Sequence, residues 1–182
     1  MNNNNEFPYR AYAMEYGTFL GIAWTSVFFL YTASFRTASG FYSTLAFMGF
    51  LSLAIIPFIF AWRVKQLQNK GEGLGVLRGC IFSLNLFMFA CLFTGACEYA
   101  YFAFFDHGAL LDCISNMLQA KEMQDIYREA GLNDAYNQMT DIVKQTQRLS
   151  AFEMTESLFN ANIVVSFFFV LPVGALASLR KR

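Results

Sequence analysis

The sequence predicts an all-α integral membrane protein with four transmembrane helices and a helical extracytoplasmic excursion between the third and the fourth. Three observations carry this prediction. Of 182 residues, 56% are hydrophobic and 22 are Phe, and the mean hydropathy of +0.37 is well above that of ordinary soluble domains. Four separate stretches reach the roughly 20 apolar residues needed to cross about 30 Å of hydrocarbon at about 1.5 Å per residue. None of the four alternates with period two, which excludes a barrel, so backbone groups that find no partner in lipid must be satisfied inside helices.

The first span is expected at about 13–33, interrupted only by Glu15. Its Gly17 and Gly21 form a GxxxG pair that lets another helix approach closely. A cleavable signal peptide ending near Ala33 and Ser34 is the competing account, but only Arg10 precedes the span and the apolar stretch is long for such a segment. A retained signal anchor is therefore expected. The second span, about 41–62, contains no charge and one kinking Pro57. The third, about 80–105, holds Glu98 and begins just after Arg78, which can snorkel to lipid phosphates. The fourth, about 158–179, contains Pro172 and stops against Arg180, Lys181 and Arg182.

Basic residues in the short loops set the orientation. Arg10, the loop carrying Arg63, Lys65, Lys70 and Arg78, and the terminal trio place eight positive residues on one side. The other side has Arg36 and, spread over the long segment 106–157, Lys121, Arg128, Lys144 and Arg148 among nine acids. Both termini are therefore expected in the cytoplasm.

Segment 106–157 reads as outer helices rather than an independent domain. Leu110, Leu111, Ile114, Met117 and Leu118 recur at helical spacing, with Gly131 as the stop. Asn133 is expected to cap a second helix striped by Ala135, Met139, Ile142, Val143, Leu149 and Phe152, which must cover something apolar. Ser150 and Glu153 read as a capping box that starts a helix running into span four. The whole chain, 1–182, forms one membrane domain, since no Pro-rich or Gly/Ser-rich linker divides it.

Chemistry is sparse. Glu98 and Glu15 are the ionisable residues inside spans, where such groups are costly and often mark a ligand or ion path. Glu98 is the stronger candidate because Glu15 lies within about one turn of its boundary; its bland alternative is an interfacial carboxylate paired with Arg36 or a tyrosine. Asp106 beside His107 suggests an acid–base pair, yet a lone His lacks the companions of a usual zinc site. Cys80, Cys91, Cys97 and Cys113 form no CxxC and read as free thiols. Gly71, Gly73 and Gly75 imitate a phosphate loop without satisfying its spacing. No GxSxG, HExxH or carboxylate-rich metal cluster occurs, and 13 basic against 13 acidic residues leave no field for nucleic acid. No cofactor is implied.

Several pieces together carry a resemblance: Met14-Glu15-Tyr16-Gly17 with Gly21, the turn from Arg63 through Gly71 to Gly75, and Tyr99-Ala100-Tyr101-Phe102 followed by Asp106 and the break at Gly131-Leu132. They resemble an uncharacterised bacterial four-helix membrane family, domain of unknown function 4199, over most of the chain. The resemblance implies a bacterial inner-membrane protein and, because members are often encoded near membrane glycosyltransferases, a small accessory role. Members more often have a basic residue where Glu15 stands and an amide where Glu98 stands.

The expected function is a non-enzymatic accessory or assembly subunit of an inner-membrane envelope complex, in a setting of polyprenyl-phosphate sugar transfer. Membrane lipids and a membrane-protein partner or homo-oligomer are the expected company. The alternatives are a small homo-oligomeric channel or carrier using Glu98, and a lipid-handling enzyme using Glu98, Asp106 and His107. Span two offers a pore only Ser43, Thr44 and Ser52.

Overall fold

The computed structural model describes residues 8–37, 39–68 and 74–179. All regular structure among them is helical: α1 (Tyr9–Thr37), α2 (Gly40–Leu67), α3 (Val76–Tyr101), a π-turn (Phe102–Asp106), α4 (Ala109–Gln119), α5 (Lys121–Glu129), α6 (Asn133–Thr146) and α7 (Ala151–Ser178). The four long helices, α1, α2, α3 with its π-turn, and α7, are long and apolar enough to cross a membrane. Each begins before its expected apolar stretch, by one residue in α2 and by seven in α7, because helical hydrogen bonding continues through polar flanks where hydropathy has already fallen.

Neighbouring helices meet in the cyclic order α1, α3, α7, α2. Small residues set the closest approaches. A side-chain carbon at Gly17 would lie 2.6 Å from the Leu86 carbonyl oxygen, and one at Gly21 2.8 Å from Phe93 Cβ. The GxxxG pair is thus the seat of α3, as expected. At the other seam a Cβ on Gly79 would collide with the carbonyl of Gly174, and one on Gly174 would sit 2.9 Å from Cys80 Cα. These contacts, with Phe28 against Tyr101 and Cys91 beside Ser166, make α3 parallel to α1 and antiparallel to α7. The start of α1 and the end of α7 therefore lie together, and α4–α6 cap the opposite end.

The half of the bundle away from the cap is tightly packed. Ala13, Leu20, Ala61, Val64, Phe82, Leu86, Val173 and Ala177 expose no surface there. Gln68 closes this end by donating from Nε2 to the Ala177 carbonyl at 3.0 Å. Lys70, the glycines Gly71 and Gly73, and Arg180, Lys181 and Arg182 lie outside the described residues.

The cap differs from expectation at two places. The helix expected to run to Gly131 breaks at Ala120, which is extended (φ −61°, ψ 134°). Continuing the buried stripe of Leu111 and Leu118 by three or four residues would turn Lys121 and Glu122 inward, and the chain bends before them. The second helix is capped by Leu132 rather than Asn133, which is already helical, and no side chain caps that end. Gly131 does end α5, with φ +69°. The Gly131 N–H bonds the Arg128 carbonyl and the Leu132 N–H bonds the Tyr127 carbonyl, the hydrogen-bond pair of a Schellman stop. At α7 the expected capping box is formed: Ser150 N–H donates to Glu153 Oε2 at 2.7 Å, and Glu153 N–H donates to Ser150 Oγ at 3.3 Å.

Candidate functional site

A cavity of about 590 Å³ occupies the capped half of the bundle, with all four long helices contributing to its wall. Its existence follows from unequal packing around the ring. Glycines seat α1 and α7 on α3, and Val27 of α1 fills the space beside Gly49 of α2. By contrast, α2 and α7 meet where Phe58 contacts Phe169 and where Gln68 reaches Ala177, both towards the uncapped end. Beyond Phe58 the two helices line the cavity from either side, and Phe50 and Val165, each about half exposed, stand at its outer edge. Leu110 and Leu111 of α4 and Leu149 before α7 roof the space.

The lining is mostly apolar and aromatic, with a few polar groups. Thr94 Oγ1 donates to the Gly21 carbonyl at 3.2 Å, and Ser166 Oγ donates to the Asn162 carbonyl at 2.7 Å, so both hydroxyls are engaged. Two buried polar atoms in the wall have no hydrogen-bond partner: the acceptor Glu98 Oε2 and the donor Trp24 Nε1. Glu98 is only 3% exposed. A third polar feature is chemical. Pro57 has no amide hydrogen, so the Leu53 carbonyl, one turn earlier on the same wall, lacks its usual helical donor.

The sequence candidates are dispersed rather than gathered. Glu98 faces the cavity, whereas Glu15 lies exposed on the outward side of α1. Among the described residues Glu98 forms no ion pair with Arg36 and no hydrogen bond to a tyrosine, which corrects its reading as an interfacial pair. Arg36 and Thr32 instead approach the Tyr101 hydroxyl. That hydroxyl donates to Asp106 Oδ1 at 2.9 Å, and the same oxygen accepts the Leu110 N–H at 3.1 Å. Asp106 is therefore a buried clamp that ties the end of the third span to the first turn of α4. The π-turn makes this possible, because its wider winding brings Asp106 back inside after Phe104 and Phe105 have faced outward.

His107 follows in the left-handed region (φ 48°) and points out of the bundle. The adjacent Asp106 and His107 thus diverge, and with Glu98 inside the cavity no acid–base triad forms. All four cysteines are free.

Trp24 was not among the sequence candidates. The signal that would have found it is its depth: tryptophans of spans belong to the interfacial belts, and this one sits near the middle of the first span.

Four long apolar helices, a cap over one end and a side-open cavity with a buried carboxyl define a multi-pass helical membrane protein with an internal ligand-sized chamber. Residues 15–179 match the family model described as "Protein of unknown function (DUF4199)", and the chain belongs to that family. No curated protein and no solved structure matches it.

Proposed function

We propose that the protein is a non-enzymatic accessory or assembly subunit of an envelope complex in the bacterial inner membrane, working beside polyprenyl-phosphate glycosyl transfer. The observation that carries this reading is the unpartnered apolar face of the cap. Helix α5 is amphipathic yet buries none of its residues, and Ile126 and Ile142 are each 60% exposed, with Leu132 and Met139 about half exposed. The stripe expected on α6 sends only Val143 fully inward. Apolar residues grouped on the non-spanning part of a protein are the signature of a surface that another molecule covers.

Charge supports the orientation with the cap outside and both termini in the cytoplasm. Arg63 and Lys65 at the end of α2 and Arg78 at the start of α3 lie at the uncapped end, flanking a short connection, and the cap is acidic. A channel or carrier built on Glu98 has less support within one subunit. Below the cavity a polar path would have to cross the layer of Leu20, Phe82, Leu86, Val64 and Val173. Thr44 and Ser52 of α2 return their hydroxyls to their own helix at Gly40 and Met48.

Recovery of the tagged protein from native membranes in mild detergent tests the proposal through the mass and composition of what co-purifies. A stoichiometric second membrane protein is expected, with its association lost on Ile126→Glu and Ile142→Glu replacement. A homo-oligomer alone, unaffected by these changes, would overturn the subunit reading in favour of the channel or carrier.

A further inference from the structure

We infer that the cavity is a binding site for a neutral lipid alcohol, whose chain enters from the hydrocarbon between α2 and α7 and whose hydroxyl is held at Glu98. The inference is independent of the subunit reading.

Four features choose this ligand. The first is the mouth. The α2–α7 seam is closed by Phe58 on Phe169 towards the uncapped end and open between Phe50 and Val165, so the entrance faces acyl chains rather than water. A hydrocarbon chain entering there exchanges one apolar setting for another and fills a space that would otherwise lack dispersion contacts.

The second is the roof. Leu110, Leu111 and Leu149 lie over the chamber, so a head that reaches Glu98 sits beneath them and away from the interface. The head must be small enough to come inside.

The third is charge. No Lys, Arg or His lines the cavity, whose titratable side chains are Glu98 and Tyr31. A phosphate head would give up its hydration in a chamber that holds no compensating base, at a large desolvation cost.

The fourth is the pairing pattern. Glu98 Oε2 offers an acceptor and Trp24 Nε1 a donor, both buried and both unpartnered in the same wall. The registers of the helices bring these residues close in depth. Thr94 on Gly21 and Phe28 on Tyr101 share one α1–α3 offset, and it places Glu98 level with Thr25, next to Trp24 in α1. Tyr16 on Phe60 and Val27 beside Gly49 likewise bring Leu53, whose carbonyl Pro57 leaves without its helical donor, to the depth of Trp24. An ammonium can donate to Glu98 but cannot accept from the indole. A hydroxyl does both, and loses less hydration than either charged head on entering.

Photolabelling of the purified full-length protein in phosphatidylcholine nanodiscs tests this. The probes are a hexadecanol carrying a chain diazirine and a terminal alkyne, and the matching alkyl phosphate and alkylammonium. Saturable labelling by the alcohol is expected on peptides of α2 or α7 that line the mouth, with about fivefold or greater preference over both charged probes, the scale of one net hydrogen bond. Ala54→Trp, at the lipid-facing mouth and outside the packed core, should abolish it, and Glu98→Leu should reduce it about fivefold. Both variants must keep the cooperative melting of the parent. Equal labelling by the three probes, preference for either charged head, or labelling indifferent to both substitutions would overturn the site. None of these outcomes bears on whether a second protein co-purifies.

Discussion

The two halves of the bundle use the same four helices to opposite ends. Away from the cap, the glycine pair Gly79–Gly174 brings two backbones together, and Leu20, Phe82, Leu86, Val64 and Val173 pack into a core with no exposed surface. Under the cap, beyond the contact of Phe58 with Phe169, α2 and α7 line a cavity instead, and its wall holds an unpaired carboxyl. Both halves are predominantly apolar in sequence. What separates them is the size of the residues that face each other, which decides whether apolar surfaces meet or bridge a void.

The contrast is most severely tested at the close-packed seam. Gly79→Leu should remove the tight α3–α7 contact by forcing a side chain into the Gly174 backbone, lowering stability by about 3 kcal/mol, at the upper end of overpacking costs. Thermal unfolding in detergent micelles measures it, and an unchanged melting temperature would refute close packing there. In the cavity half the sign reverses. Glu98→Leu replaces a buried, unpartnered carboxyl by an apolar group and should stabilise the ligand-free protein by about 1–3 kcal/mol. A destabilised variant would mean that Glu98 holds the fold together.

Between the halves and the cap stands the Asp106 clamp. Tyr101→Phe removes the 2.9 Å donor to Asp106 and should cost about 1–2 kcal/mol, with faster hydrogen exchange confined to the start of α4. Exchange spread evenly over the bundle would deny Asp106 this local role. Smaller still is the capping box: Ser150→Ala should speed amide exchange at Glu153 and Met154 while leaving global melting nearly unchanged. At the bottom of the scale, Arg128→Ala breaks the exposed 2.6 Å pair with Asp125 on α5 and should change stability by less than about 0.5 kcal/mol.

How much of this was legible in the sequence depends on the range of the physics involved. The capping box at Ser150 was readable because its partner stands three residues away, and the Gly131 stop because a left-handed residue favours glycine whatever surrounds it. The Ala120 break was not foreseen, since the stripe of Leu111 and Leu118 continues smoothly until it would turn Lys121 and Glu122 inward. Of the five candidate site residues, Glu98 alone faces the chamber. Asp106 and His107, adjacent in the chain, part company because a π-turn and a left-handed residue intervene, and neither leaves a mark in hydropathy.

The sequence by itself determined that the chain spans a membrane four times, which stretches do so, and where a helical cap interrupts them. Those outcomes rest on the transfer of each segment from water to hydrocarbon, a property of the segment alone. Only the tertiary structure decided the order of the helices around the ring, the gap between α2 and α7 and the fate of each polar side chain. Gln68 is tied to a carbonyl 109 residues away, and Glu98 has no partner because none of the helices around the chamber brings one to its Oε2. Such pairings are settled by which surfaces fit, and fit is a property of two segments at once.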